Sequence, residues 1–171
     1  MALTQQLARV SPEYLDRCRR AAADSADGDP RWDPPAADLL DLEWAAWGLE
    51  RYLRRTGAAP GLADTLDRAT SGDGSADIAF LDHVTVYDGF GDPPALLAPD
   101  AVAGIVRALD AVDTAEMLAR LPRDPSEAAR ICGFDGFRGD LAAHLLQYFD
   151  ALRDFCRGAA ARRLAIVVWV D

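Results

Sequence analysis

The sequence predicts an α/β fold of three layers, in which helices cover both faces of a small mixed sheet. The first observation is the run Leu164–Val170, in which every residue is apolar. Such a run is typical of a strand covered on both faces, because a half-exposed strand would alternate with polar residues. The second is the segment from Asp140 to about Ala161, whose apolar residues recur at three- and four-residue spacing, as in an amphipathic helix. We therefore place the C-terminal strand at the centre of the sheet.

The start of the chain predicts a strand followed by a helix. Residues 3–10 alternate mildly, and we expect the part around Leu7–Val10 to pair with the C-terminal strand. Ser11 is a good N-cap and Pro12 is tolerated in the first turn, so a helix is predicted from there to about Ala23. Residues 24–37 are rich in Gly, Pro and Asp, which is typical of a solvated surface loop.

The remaining elements follow from apolar spacing and from capping residues. Two short apolar stretches, Ile78–Leu81 and Val84–Tyr87, are compatible with short strands. Helical spacing and caps predict further helices at Leu42–Arg55, Leu62–Ala69, Pro99 to about Ala111, Thr114 to about Leu121 and Ser126–Ile131.

Length and charge restrict the class of protein. At 171 residues the chain fits one domain, 1–171, with a sizeable core of its own. The formal net charge of −10 disfavours binding to nucleic acid, and it suits a basic protein partner or simply good solubility. No run approaches the roughly 18 apolar residues that cross a membrane, and the N-terminus has no signal-peptide pattern, so we expect a cytoplasmic protein.

Several kinds of chemistry lack the residues they need. All 18 basic residues are arginine, so a Schiff base, a pyridoxal anchor and a phosphate-loop lysine are excluded. Cys18, Cys132 and Cys156 are far apart, and Cys156 falls on the apolar face of the last helix as a small core residue. His83 and His144 form no metal-binding motif. We therefore assign no catalytic residue, cofactor or metal.

Two regions remain as candidate surfaces for a ligand or partner. One lies between Asp82 and Pro94, where glycines allow unusual backbone angles and acidic and aromatic residues alternate; its candidates are Asp82, His83, Tyr87, Asp88, Phe90 and Asp92. Acidic and aromatic groups suit a basic or neutral partner better than an anion. The other is the pair Trp44 and Trp47, which offers either a ligand platform or simple packing beneath the acidic loop.

Four segments of the chain resemble the YfbM-like family of small bacterial proteins, a domain of unknown function. In chain order they read LARVSPEYLDR, LDLEWAAWGLERYLRRTG, GFGDPPALLAPDAV and LLQYFDALRDFCRGAAARRLAIVVWVD. Together they span nearly the whole chain, with a variable middle. The resemblance implies a three-layer α/β arrangement and no particular reaction. The chain departs from the family at Ala95, where a basic residue is common, and near Trp47 and Gly48, where a polar residue or histidine is common.

The acidic charge, the missing catalytic constellation and the resemblance favour a non-catalytic binding or interaction protein. An immunity-type inhibitor of a basic protein is one concrete form. The rival hypothesis is a small hydrolase or ligand-binding enzyme built on the region Asp82–Asp92, with His83 as its base. It requires His83 to lie within about 6 Å of a carboxylate or a nucleophile. A homodimer is a further open alternative.

Overall fold

A sheet of four strands lies at the centre of the protein. The computed structural model describes residues 4–171, and its strands are β1 (Gln5–Val10), β2 (Leu39–Asp41), β3 (Ala95–Leu97) and β4 (Ala165–Val170), in the spatial order β2-β1-β4-β3. β4 is an interior strand, as predicted. It pairs with β1 in the register Leu7 to Val168 and Val10 to Ala165, so the predicted pairing of the two chain ends is confirmed. The part of the first predicted strand at residue 3 lies outside the described residues.

The sheet is antiparallel in all three of its pairings, whereas a mixed sheet was expected. An unbroken apolar strand is most common in parallel sheets, because helical crossovers cover both of their faces. Here both faces of β4 are also covered, which explains its apolar residues, although its neighbouring strands run in the opposite direction. The α/β class with helices on both faces is confirmed.

Seven α-helices surround the sheet. They are α1 (Pro12–Asp24), α2 (Ala45–Thr56), α3 (Leu62–Ser71), α4 (Pro99–Asp110), α5 (Thr114–Leu118), α6 (Pro125–Cys132) and α7 (Leu141–Ala161) within residues 4–171. Side-chain caps begin several of them: Ser11 accepts a hydrogen bond from the backbone N–H of Tyr14, and Asp140 accepts one from Ala143. All the helices predicted from the sequence are present, with ends shifted by a few residues.

Alternate residues of β4 face two separate apolar clusters. Ile166 and Val168 pack into the larger cluster, which α2, α3, α4 and α7 complete. Val167 and Trp169 face the smaller cluster, which contains residues of α1 and of the segment 78–87. Cys156 of α7 is fully buried in the larger cluster, as its position in the sequence predicted.

Two expectations about short strands are wrong. Residues Ala76–Leu81 form a 3-10 helix, and 82–87 form turns, because Ile78, Leu81 and Val86 are buried against the sheet from a loop and do not join it. The strands β2 and β3 were missed, since three residues show no periodicity. Among residues 4–171, no helix is long and apolar enough to cross a membrane.

Candidate functional site

The two candidate regions meet at one end of the sheet. This end is where β2 and β4 finish and where β1 and β3 begin. Trp44 and Trp47 follow β2, and the loop of Asp88, Phe90 and Asp92 precedes β3. The two groups are about forty positions apart in the sequence. The strands beside them, β2 and β3, are the outer strands of the sheet, roughly three strand spacings or about 14 Å apart.

Backbone hydrogen bonds link the two regions across the sheet. Gln5 donates its N–H to the carbonyl of Glu43 over 3.1 Å, which ties the segment before Trp44 to β1. Thr4 donates to the carbonyl of Asp171 over 2.6 Å, and Asp171 donates back over 3.0 Å. The carboxylate of Asp171 then accepts the backbone N–H of Asp88 over 2.7 Å. Asp171 therefore fixes the position of the Asp88 loop relative to the start of β1.

Trp44 is the exposed member of the tryptophan pair. It is 41% exposed at the start of α2, and its ring centroid lies 4.6 Å from that of Trp47 at an interplanar angle of 56°. Glu43, directly before it, has a positive φ of 48°, which turns the chain sharply from β2 into the helix. Packing therefore accounts for Trp47, which is half-buried, but leaves a large face of Trp44 in solvent.

Further aromatic residues lie beside the start of α7. The His144 ring centroid lies 5.0 Å from that of Phe137 and 4.9 Å from that of Tyr148. Burial, and then a hydrogen bond to Glu43, raises the pKa of Tyr148 to about 12. Tyr148 thus connects α7 with the segment before Trp44. Phe134 and Phe137 were not predicted as part of a site, although their glycine-flanked segment GFDGF was a signal for an ordered aromatic loop.

Tyr87 is buried, so it is not an exposed contact residue. Its hydroxyl donates a hydrogen bond of 2.7 Å to Oδ1 of Asp82. That bond, followed by burial and the charges of Asp82, Asp88 and Asp92, raises the pKa of Tyr87 to about 12. Asp82 and Tyr87 therefore hold the loop together and have little capacity left for a ligand.

Phe90 projects from the tip of the loop and is 59% exposed. Its backbone N–H donates to Oδ1 of Asp88 over 2.8 Å, which closes a tight turn. Gly89 and Gly91 flank it with φ of 78° and 106°, a backbone region that glycine adopts at no steric cost. The turn thus holds an aromatic ring in solvent between two carboxylates, those of Asp88 and Asp92.

His83 lies within hydrogen-bond distance of a hydroxyl group, and it forms no ion pair with a carboxylate of residues 4–171. Its Nδ1 lies 2.9 Å from Oγ1 of Thr85, and that hydroxyl lies 3.1 Å from Oδ1 of Asp29. Asp82 contacts Tyr87 and does not contact His83, as expected for adjacent residues. In a catalytic triad the base lies between the nucleophile and the acid, whereas here the hydroxyl occupies the middle position.

The carboxylates at this end of the sheet have no arginine partner within residues 4–171. They are Asp41, Glu43, Asp88, Asp92 and Asp171, and none belongs to an ion pair there. Elsewhere carboxylates do pair, as Asp110 does with Arg157 over 2.8 Å. The same described range contains no group of three or more His, Cys, Asp or Glu residues that could hold a metal ion.

No family profile matches the chain, and no curated protein matches it either. Its structure is similar to the crystal structure of YfbM from Escherichia coli, a protein of unknown function, with a TM-score of 0.62 and 17% sequence identity. The similarity covers 98% of this chain and 99% of that one. At this identity the likeness is one of fold. The chain therefore has the fold of YfbM, as the four sequence segments predicted.

Proposed function

We propose that this protein is a non-catalytic cytoplasmic binding protein that takes a basic protein partner at one end of its sheet. We call this area the sheet-end surface, formed by Asp41, Glu43, Trp44, Asp88, Phe90, Asp92 and Asp171. The observation that carries the proposal is two exposed aromatic rings, Trp44 and Phe90, standing among carboxylates that have no ion-pair partner within residues 4–171.

The aromatic rings supply the apolar part of such a contact. Trp44 and Phe90 are 41% and 59% exposed, although large aromatic side chains are normally buried. Aromatic anchors dominate the energetics of many protein interfaces. An interface of standard size takes roughly 800 Å² from each partner, which is enough to include residues beside both outer strands of this small sheet.

The carboxylates determine which class of partner the sheet-end surface favours. Unpaired negative charges around an apolar centre speed association with a positively charged surface and repel acidic ones. The net charge of −10 acts in the same direction over a longer range. A basic protein therefore fits this surface better than a nucleic acid or an acidic ligand. An inhibitor of the immunity type is one concrete form of this role.

The test uses variants that keep the hydrogen bonds of the fold; Glu43→Gln retains a side-chain oxygen that can accept the bond from Tyr148. Glu43→Gln and Asp92→Asn remove charge from the sheet-end surface, and Trp44→Ala and Phe90→Ala remove the exposed rings. Asp88 and Asp171 are unsuitable because they hold the loop by hydrogen bonds. Asp100→Asn and Asp135→Asn are the matched controls, since both carboxylates are exposed and lie on other parts of the chain.

Immobilised protein is exposed to cell extract at low and at high salt, and the retained proteins are identified by mass spectrometry. We expect a basic protein that high salt releases, that the charge and ring variants retain poorly, and that the control variants retain normally. Interactions between exposed charges weaken at high salt because ions screen them. Retention that is equal across all variants, or the absence of any protein released by salt, would contradict the proposal.

A small hydrolase is the second candidate, and the contact of 2.9 Å between His83 and Thr85 favours it. In this reading His83 takes the proton of the Thr85 hydroxyl, whose oxygen attacks the ester carbonyl. The ester's C–O bond breaks, the alcohol leaves with the proton held by His83, and water then hydrolyses the acyl-threonine. Thr85 has one hydroxyl proton, so it cannot donate to His83 and to Asp29 at once. Hydrolysis of p-nitrophenyl acetate that Thr85→Ala and His83→Ala both abolish, but Asp100→Asn preserves, would establish this function in place of the first.

A further inference from the structure

We propose that a groove beside α1, lined by Arg17, Arg20 and Arg31, binds a small molecule that carries a phosphate monoester. The groove lies between α1 and the loop that follows it, and its volume is about 360 Å³. That volume falls within the usual range for small-molecule sites. Tyr14, Cys18, Ala21 and Pro30 form the rest of the lining.

The three arginines have no ion-pair partner within residues 4–171. Arg17 and Arg20 project from successive turns of α1, and Arg31 faces them from the loop. Of the 18 arginines, all within the described residues, seven pair with carboxylates and eleven do not; three of the unpaired ones line this single groove in a protein of net charge −10. Guanidinium groups match phosphate oxygens by paired hydrogen bonds.

The other titratable groups of the lining are neutral at physiological pH. Burial raises the pKa of Tyr14 to about 12, and burial also raises the pKa of the Cys18 thiol above its usual value. No lining residue is acidic. Three carboxylates lie near the lining: the charge of Glu13 acts on Arg17, that of Asp33 acts on Tyr14, and Asp29 accepts the backbone N–H of Arg31 over 2.8 Å. The lining therefore carries three positive charges, which suits a doubly charged phosphate monoester.

The opposite wall is held rigidly against the helix. Asp33 donates its backbone N–H to the Tyr14 hydroxyl over 2.8 Å, and the Trp32 ring packs edge-on against Tyr14 at 5.5 Å. The Arg17 guanidinium lies 5.2 Å from the Tyr14 ring centroid. Tyr14 accepts the Asp33 bond with its oxygen, and its own hydroxyl bonds to the Cys18 sulfur inside the groove. The site thus offers three cations beside an apolar floor.

The neighbouring depression provides an internal comparison. It shares Tyr14 and Arg17 with the groove and contains Arg9 and Arg162. There the carboxylate of Asp38 lies 2.7 Å from Nε of Arg9 and 2.6 Å from Nη1 of Arg162. The Asp38 carboxylate thus neutralises Arg9 and Arg162 and takes the place that a bound anion would occupy between them. The groove of Arg17, Arg20 and Arg31 has no such carboxylate among its lining residues.

Calorimetric titration with phenyl phosphate at low ionic strength tests the proposal. We expect saturable binding of one molecule per chain. Each arginine that donates a charge-assisted hydrogen bond contributes roughly tenfold to a hundredfold in affinity, so Arg17→Gln and Arg31→Gln should each weaken binding by that factor. Arg107→Gln and Arg138→Gln are the controls, because both arginines are exposed and lie outside the groove.

Arg20→Gln serves as a third groove variant should either of the first two alter the thermal melt. Benzoate, which has the same ring with a carboxylate, tests the phosphate class. The proposal is overturned by the absence of saturable binding, by equal losses in the groove and control variants, or by benzoate that binds as tightly as phenyl phosphate. Failure of the basic-partner proposal would leave this titration unaffected, since the two surfaces share no residue.

Discussion

The ring of Phe134 rests on the backbone of Gly48 so closely that a Cβ atom at position 48 would overlap its Cζ and Cε2 atoms. Gly48 is buried inside α2, next to Trp47, and Phe134 follows the end of α6. The ring is in turn supported by Phe137, at 6.1 Å between centroids. A glycine within a helix costs about 1 kcal/mol relative to alanine, and this contact offsets that cost.

Replacing Gly48 by alanine should therefore destabilise the protein, although alanine is the better helix former. The added methyl group must displace Phe134 from its place against Phe137 and His144. Overpacking of this kind costs about 1–3 kcal/mol, which exceeds the gain in helix propensity. The free energy of unfolding, measured by urea denaturation, should fall by about 1 kcal/mol or more.

Gly104 is the matched control, since it lies inside α4 and the nearest side-chain atom to an added Cβ is Nη2 of Arg107, at 4.0 Å. Gly104→Ala should raise the free energy of unfolding by about 0.5–1 kcal/mol. A gain of similar size for Gly48→Ala would contradict the proposed contact with Phe134.

A second prediction concerns Asp38, which lies between Arg9 and Arg162. The hydrogen bond from Arg162, and then that from Arg9, lowers the pKa of Asp38 below its usual value. The Arg9 side chain is only 19% exposed and also contacts the Phe155 ring, with 4.9 Å to its centroid. Asp38→Asn leaves that charge partly buried without its partner, and should cost about 1–2 kcal/mol at neutral pH.

The stability that comes from the lowered pKa of Asp38 is present above the ordinary aspartate pKa and is lost as the pH falls through the lowered one. Urea denaturation at pH 7 and at pH 3 should therefore show a smaller difference between wild type and Asp38→Asn at the lower pH. Asp64→Asn removes an exposed partner of Arg54 and should change stability much less. Equal effects of the two substitutions would contradict a structural role for Asp38.

The longest patterns in the sequence were the ones that predicted structure. The three- and four-residue apolar spacing is long enough to identify α7, and the apolar run is long enough to identify β4 and to indicate that it is covered on both faces. β2 and β3 contain three residues each, too few for any period. Strand direction left no trace in the sequence either, since an antiparallel strand buried on both faces has the same composition as a parallel one.

The site could be predicted only in pieces. Phe90, Asp88 and Trp44 were visible as unusual residues, but their common location depends on the bonds between Thr4 and Asp171, which join the two ends of the chain. Tyr87 was misjudged as a surface contact because its bond to Asp82 directs it inward. The arginine groove was not predicted, since Arg31 reaches the α1 arginines only through the fold of the intervening loop.

A third prediction tests the central place of β4. Val167 is fully buried between the sheet and the smaller cluster, so Val167→Asp would place an unpaired charge in an apolar environment. That should cost several kcal/mol and should unfold most of the protein. Val84→Asp is the control at a valine that is 82% exposed, and it should leave the thermal melt nearly unchanged. A mild effect at Val167 would mean that β4 is not covered on this face.

The last prediction concerns alkaline pH, at which all four tyrosines should resist ionisation. The pKa values of Tyr14, Tyr87 and Tyr148 are raised to about 12, and that of Tyr52 is also raised; burial is the largest cause except at Tyr87, where it is the bond to Asp82. Absorbance at about 295 nm should therefore show little tyrosinate in the folded protein at a pH near 10, the ordinary tyrosine pKa, and much in the urea-unfolded protein.

Because the folded-state pKa values are the higher ones, the unfolded chain releases its tyrosine protons first as the pH rises. The associated stability is complete below the ordinary tyrosine pKa and is lost as the pH rises toward about 12. Asp82→Asn removes the charged acceptor at Tyr87, so in that variant Tyr87 should ionise at a lower pH than in the wild type. Wild-type and variant titration curves that coincide would show that Asp82 does not control the Tyr87 hydroxyl, and the loop would then need another explanation for its order.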